Sequence, residues 1–450
     1  MRTIRFFLLS GFFLFLFSAL LFGLDFGGVI DNSTGIDYMD EATFQQSDKL
    51  SLWFNGGMGA NVDFYARGSF KYINETPELR LNLDLLRLNG AFATEEGGPP
   101  NFSFSFGRFN IADFTNYVFE HTADGLLLGF RFPAARIRTF FGFTGLLFKH
   151  SSDILISTLD AYDSVNDDVL LAPWRVVGLV DVTFQELFLR QTLTVSFLFQ
   201  EDVRNADDLI EVGEEQPVAG GGHVDTQYLG LGLSGAILSN LYYNAFFYLA
   251  PGRTLSYLAD SKSATGYSYQ YDSILSYMAG GGVSLFFREF LFSRIALNFL
   301  LTSGDEDAAA FTEGNTRDYS TVFIPISRET LALVFSPRLG NIFLFNLSYS
   351  MRPFSRSKSP ALSNLQTILK TLMFFRTSTG PISEPGINTA SSALYLGTEI
   401  DGIVNFRPFS DLGAALSLGL FLPNNGDDGA FLNSARKLEF LGRLELSFSL

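Results

Sequence analysis

Arginine carries the clearest chemical potential in this sequence. Arg67, Arg80, Arg87, Arg108, Arg136, Arg138, Arg175, Arg190, Arg294 and Arg407 recur among small or polar residues inside otherwise greasy runs. A guanidinium stays charged and presents a planar fork that fits carboxylate or phosphate. Set along one surface, such groups attract and guide anions. Glu399 and Asp401 are carboxylates on the same pattern of positions, where they either brace the arginines or share the path with them. Catalytic groupings are poor by comparison. His121, His150 and His223 are the only histidines, with no serine placed to act with them and no metal-ligand spacing. The run "GLGLSG" (230–235) spells a dinucleotide fingerprint by letters, but it leads into a strand pattern, so its glycines read as wall positions. With Cys 0, thiol catalysis and disulfides are excluded. No enzyme, cofactor or metal site is expected.

The arginines need a surface, and the alternation of the chain supplies one. "NVDFYARGSFKY" (61–72) sets Val62, Phe64, Ala66, Phe70 and Tyr72 against Asp63, Tyr65, Arg67, Ser69 and Lys71. "LFLRQTLTVSFLFQ" (187–200) and "NIFLFNLSYSMR" (341–352) repeat the design. Such runs reach the roughly 9 to 11 residues that a tilted membrane-spanning strand needs. Short links recur at 185–186, 238–239, 288–289, 337–339 and 408–410. Long polar segments lie at 149–172, 201–224, 251–272, 303–320 and 353–391. Short turns alternating with long loops point to an all-β, transmembrane, antiparallel up-and-down barrel, with the turns periplasmic and the loops external. About 17 runs are visible, and the preference for even numbers makes that 16 to 18 strands. The final run, "LEFLGRLELSFSL" (438–450), alternates to the last residue, as a strand that closes a barrel should.

The N-terminus (1–23) has Arg2 and Arg5 before an apolar core and reads as a signal peptide cleaved near Gly23. Residues 24–48 then read as a short periplasmic segment, and 49–450 as the barrel. The formal net charge of −16 argues against a nucleic-acid partner. The acidic surplus sits in the predicted loops, so an acidic chain is expected to have a basic bore. Within 353–391, Ser359, Pro360, Leu362, Leu365, Ile368, Leu369 and Leu372 have helical punctuation and spacing. A short helix in a long loop is therefore expected there, either folded into the bore as a constriction or left outside as a lid or a disordered loop.

One hairpin resembles a known family. "YLGTEIDGIVNFRPFSDLGAALSLGLFLP" (395–423), with Gly397, Thr398, Glu399, Ile400, Asp401, Phe421, Leu422 and Pro423, resembles the penultimate hairpin of alginate-export-type outer-membrane porins. "FGRFNIAD" (106–113) and "ADGLLLGF" (123–130) are similar to that family's Gly-Arg strand and Asp-Gly strand start, which places Gly107, Arg108, Asp124 and Gly125 on the matching positions. The resemblance implies an 18-stranded barrel and an Arg-lined bore for anionic sugars or small solutes. It departs at the terminus, where Leu450 replaces the usual Phe.

The combined expectation is a cofactor-free channel in a Gram-negative-type outer membrane, passing small hydrophilic, anionic solutes. Its partners are membrane lipid, the solute, and barrel-assembly machinery acting through 438–450. The alternatives are a barrel adhesin displaying acidic loops and, more weakly, a barrel enzyme.

Overall fold

The computed structural model describes residues 24–450 except 40, 75–77, 94–99, 188–189, 205–212, 214–222, 309, 312–318 and 433–435. The leader reading of 1–23 lies outside the described residues.

The alternating runs have become strands. They begin with β1 (Asp25–Tyr38), β2 (Ala42–Gly57), β3 (Val62–Ile73), β4 (Glu78–Phe92), β5 (Phe102–Ala112) and β6 (Glu120–Arg131). Next come β7 (Ala135–Phe143), β8 (Arg175–Phe184), β9 (Thr192–Asp202), β10 (Val224–Leu238), β11 (Leu241–Ala259) and β12 (Tyr267–Phe287). The last are β13 (Ser293–Thr302), β14 (Phe343–Met351), β15 (Gln366–Phe375), β16 (Tyr395–Phe406), β17 (Leu412–Pro423) and β18 (Glu439–Ser449). Every strand pairs antiparallel with its sequence neighbours, in one 18-stranded sheet. β1 closes on β18, from Val29 opposite Ser449 to Tyr38 opposite Phe440. Leu450 seals the seam, since its N–H donates to the Gly28 carbonyl at 2.8 Å. Closure leaves no strand edge.

One rim carries the turns 58–61, 132–134, 239–240, 288–292 and 407–411; the other carries 144–174, 203–223, 303–342, 376–394 and 424–438. Outward positions are large and apolar, as with Leu231, Phe247, Val283 and Ile295, all exposed on the barrel exterior. That is the surface a lipid-facing wall requires. The inner face is different. Phe109, Phe119, Phe140, Tyr228, Tyr248, Phe323, Phe335, Phe374 and Phe421 belong to one buried apolar cluster inside the barrel. No described residue of β1–β4 belongs to it. The core fills the loop-rim part of the bore from β5 to β17; space remains along β1–β4 and, at the turn rim, in a cavity of about 1110 Å³ beside Asn244, Ser284 and Arg294.

Four sequence expectations need correction. Residues 24–48 are not a periplasmic lead-in: they form β1 and the first half of β2. β1 escaped notice because its outward face includes Gly28, Asn32 and Thr34 in place of an unbroken greasy series. The segment 251–272 is mostly strand, split between β11 and β12. Within 353–391 the helix is confined to Pro360–Ser363 and gives way to β15. There Leu369 faces outward, while Leu372 and Phe374 are buried in the lumenal core. Apolar residues on both faces imitate a helical stripe. Finally, 337–339 is no turn. The whole of 303–342 lies between β13 and β14, and the apolar run before Pro337 is buried in the lumen instead of spanning the bilayer.

Candidate functional site: a basic face in a narrowed bore

The segment 319–342, from the connection between β13 and β14, crosses the lumen. Its Val334 and Phe335 N–H groups donate to the Glu399 carboxylate on β16 at 2.8 and 2.7 Å. The Phe335 ring stacks on Phe421 of β17 at 4.3 Å and meets Phe374 edge-on at 4.9 Å. Arg436 covers that ring at 4.8 Å and pairs with Glu384 and Glu439, each at 3.0 Å. Across the bore, Tyr228 on β10 donates to the Ile324 carbonyl at 2.6 Å, and the Ile326 N–H donates to Val118 at 2.8 Å. A second bar, 113–119, leaves β5 and reaches β11. There Phe114 lies over Tyr248 at 5.3 Å, and the Tyr248 hydroxyl donates to Asp113 at 2.9 Å. Gly232 permits this approach, because a Cβ there would stand 2.4 Å from the Phe114 ring. A third segment, 144–174, buries Ile154 and Ile156 in the same core. His121 ties it down by accepting the Asp153 N–H at 3.1 Å, a structural use of the imidazole.

The clear side carries the charge. Lys49 on β2, Arg67 and Lys71 on β3, and Arg80 and Arg87 on β4 face inward at paired positions. Strict alternation puts Arg80 and Arg87 on opposite faces. A bulge at Asp84, opposite the Arg67–Gly68 step, shifts the register and returns both to the bore. Asp84 sits at the centre: Lys49 approaches it at 3.2 Å and Arg67 at 3.7 Å, while Ser69 and Asn82 donate to it at 2.9 and 2.6 Å. Arg67 also donates to Ser51 at 3.1 Å, and Arg87 lies over the Tyr65 ring at 5.3 Å. Lys49, Arg67, Asp84, Asn110 and Thr122 line a cavity of about 210 Å³ that Leu147 and Ser151 of the inward segment cap. Towards the turn rim it gives way to a cavity of about 600 Å³ bordered by Lys49, Lys71, Asn405 and Glu445.

The remaining candidates have other places. Arg108 is buried as a fork on Asp124 (2.8–3.2 Å) and also donates to the Leu83 and Leu146 carbonyls. Arg138 pairs with Asp181 and donates to Ala112 at 2.7 Å. Arg175 is fully buried, bound to Asp160 at 2.8 Å, Asp202 at 3.1 Å and the Val224 carbonyl at 2.8 Å. A guanidinium so enclosed has no face left for a solute. Arg204 joins the same carboxylates, approaching Asp160 at 2.9 Å. Arg136 is exposed opposite Arg131 near the turn rim. Arg294 faces inward near that rim, donating to Ser284 at 2.8 Å over the Phe286 ring at 5.4 Å. Arg190 sits in the β8–β9 turn with φ 62°, and Arg407 sits in the β16–β17 turn, bonded to the Ser410 carbonyl at 3.1 Å. Neither is part of the strand wall. Glu399 and Asp401 are both fully buried beneath the crossing segment. Sequence reasoning left Lys49 out of the basic face, although its odd-numbered register with Ser47 and Ser51 marks it as inward.

Comparison with solved structures finds barrels of the same architecture from Pseudomonas aeruginosa. The porin OpdQ superposes with a TM-score of 0.55 at 10% identity, covering 95% of this chain and 98% of that one. OccK2 (OpdF), in a structure described as a complex with glucuronate, gives 0.53 at 12% identity over 95% and 98% of the two chains. OccK11 (OpdR) gives 0.53 at 12% identity over 95% and 96%. The fold is that of the OccK and Opd porins. No protein-family model matches the sequence, and comparison with curated proteins finds no relative. These neighbours are OccK and Opd porins, not the alginate-export-type porins resembled by 395–423 and 106–130. In this chain those motif residues have wall-building work: Glu399 anchors the crossing segment, and Arg108 braces Asp124.

Proposed function

We propose that the chain is a bacterial outer-membrane channel that passes small anionic solutes without a cofactor or a chemical step. The observation that carries this reading is the inward basic face of β2–β4. Lys49, Arg67, Lys71, Arg80 and Arg87 gather around the single bulged carboxylate of Asp84, beside the part of the lumen that the apolar core leaves clear. Fixed cations beside a narrow, water-filled gap concentrate anions and lower the barrier to their passage. The carboxylated sugar named with OccK2 is of the size and charge such a face accepts. In this reading residues 1–23 are an export signal cleaved near Gly23, and 438–450 is the strand offered to barrel-assembly machinery.

The test is single-channel recording of residues 24–450 refolded into a planar bilayer under a salt gradient. A reversal potential on the anion side, reduced by added glucuronate, supports the proposal. A cation-selective pore overturns it. A folded, heat-modifiable barrel without conductance also overturns it, and favours a bore closed by 319–342.

A further inference from the structure

The outer wall has one region that a lipid-facing surface should not have. On β1 and β2 the outward positions are even-numbered, as the exposed Ile30, Ile36, Phe44 and Leu50 show. The same series includes Asn32, Thr34, Gln46 and Asp48. These four form a bonded cluster: Asn32 donates to Asp48 at 2.6 Å, Gln46 to the other Asp48 oxygen at 3.1 Å, and Thr34 to Asn32 at 3.2 Å.

The depth of the cluster follows from the register. One hydrogen-bonded row runs Phe406, Ala414, Leu446, Asn32, Asp48, Tyr72. It starts at the last residue of β16, on the turn rim, and ends one residue short of the end of β3, on the loop rim. Because barrel strands are tilted, such a row climbs the wall. Asn32 is the eighth of the fourteen residues of β1 and Asp48 the seventh of the sixteen of β2, so both lie well inside the span of the wall. Neither headgroups nor bulk water reach that depth, and lipid tails offer no hydrogen bonds.

We infer that the outer face of β1–β2 is where two copies of this chain meet within the bilayer. This rests on the reading of the chain as membrane-spanning. The cluster carries donors and acceptors together: each amide has a second N–H, and each Asp48 oxygen has further lone pairs. A two-fold axis through the patch lets Asn32 and Gln46 of one copy serve Asp48 of the other, and the reverse, as an isologous contact requires. Among the large outward residues around the cluster lie a few glycines. Gly28 and Gly68 lie on either side of Leu52, and Gly442 lies beside Ile36, so two walls can approach closely.

Because the natural chain has no cysteine, the contact is open to single-cysteine crosslinking. Thr34→Cys and Ile36→Cys place a thiol on the patch, and Leu231→Cys places one on the outward face of β10, across the barrel. In proteoliposomes treated with a thiol oxidant, the first two are expected to shift to twice the chain mass, and Leu231→Cys to stay at the monomer position. Asp48→Leu added to Ile36→Cys is expected to abolish the shift. If the patch variants crosslink no more than Leu231→Cys while retaining wild-type conductance, the inference fails and the channel reading survives. Loss of conductance in all of them, wild type included, counts against the channel reading instead, and the mass shift still decides the contact. Crosslinking of patch variants in cell envelopes to a protein of different mass overturns the second-copy assignment.

Discussion

Glu399 holds Phe335 from two directions. Its carboxylate accepts the Phe335 N–H at 2.7 Å, while two strands of the same wall, through Phe421 and Phe374, grip the ring. At this end the crossing segment is fastened by a buried carboxylate and an aromatic plug.

Removing that carboxylate should free the bar without unmaking the barrel. Glu399→Ala leaves the Val334 and Phe335 N–H groups buried without acceptors, at about 1–3 kcal/mol each. The expected result is a heat-modifiable barrel whose single-channel current is larger and noisier than wild type. A trace indistinguishable from wild type would show that the aromatic contacts alone hold the segment.

The same segment carries a pH response. Burial, with Glu120 and Asp113 nearby, pushes the Glu329 carboxyl up to about 7. In the unfolded chain that carboxyl has an ordinary glutamate value, so the folded state binds the extra proton between about 4.5 and 7. Docking is therefore fully supported at acid pH and weakens as pH rises through that window. Glu120 faces Glu329 from β6, Asp113 and Tyr117 face it from the 113–119 bar, and burial together with the Glu329 charge holds the Tyr117 phenol up. Current noise at pH 8 should exceed that at pH 5, and Glu329→Gln should erase the difference. Equal noise at both pH values in the wild type would refute the response.

Selectivity should separate solute-facing arginines from structural ones. Arg67→Ala or Lys71→Ala should lower the anion-to-cation permeability ratio by roughly two- to five-fold, the effect of about 0.5–1 kcal/mol from one charge in a hydrated pore. Asp84→Asn should raise it. Arg175→Met should leave the ratio unchanged yet lower the midpoint of urea unfolding, since Asp160 and Asp202 then keep Arg204 alone as counter-charge and lose buried hydrogen bonds worth about 1–3 kcal/mol each. A selectivity change in Arg175→Met would contradict its burial.

How much of this was legible in the sequence depended on what each face touches. The first half of β17 and the second half of β18 carry large apolar residues outside and small or polar groups inside, and their alternation is plain in the letters. β15 and the 321–336 run touch apolar core inside the barrel, so the polar half of the pattern vanishes and the sequence reads as helix or as a false strand. β1 fails in the opposite sense, because Asn32 and Thr34 replace the greasy half. Arg67 and Arg175 were recognisable as inward by parity, but parity cannot tell Arg67, beside open space, from Arg175, enclosed by Asp160 and Asp202. That distinction depends on which loops fold inward, and those contacts join residues such as Ile324 and Tyr228 that lie far apart in the chain. The Asp84 bulge is equally silent in the letters, since it is a property of pairing with β3.

The one-sided lumenal core has a mechanical consequence. Segments 113–119 and 319–342 act as spokes that stiffen the arc from β5 to β17. The arc from β1 to β4 contributes no described residue to that core and is braced by its lateral hydrogen bonds and the pairs around Asp84. A solute passing the basic face therefore travels between a rigid abutment and a springy panel. The effective width of the passage is set by the compliance of that panel, and anything pressed against its outer side would tune the gap from without.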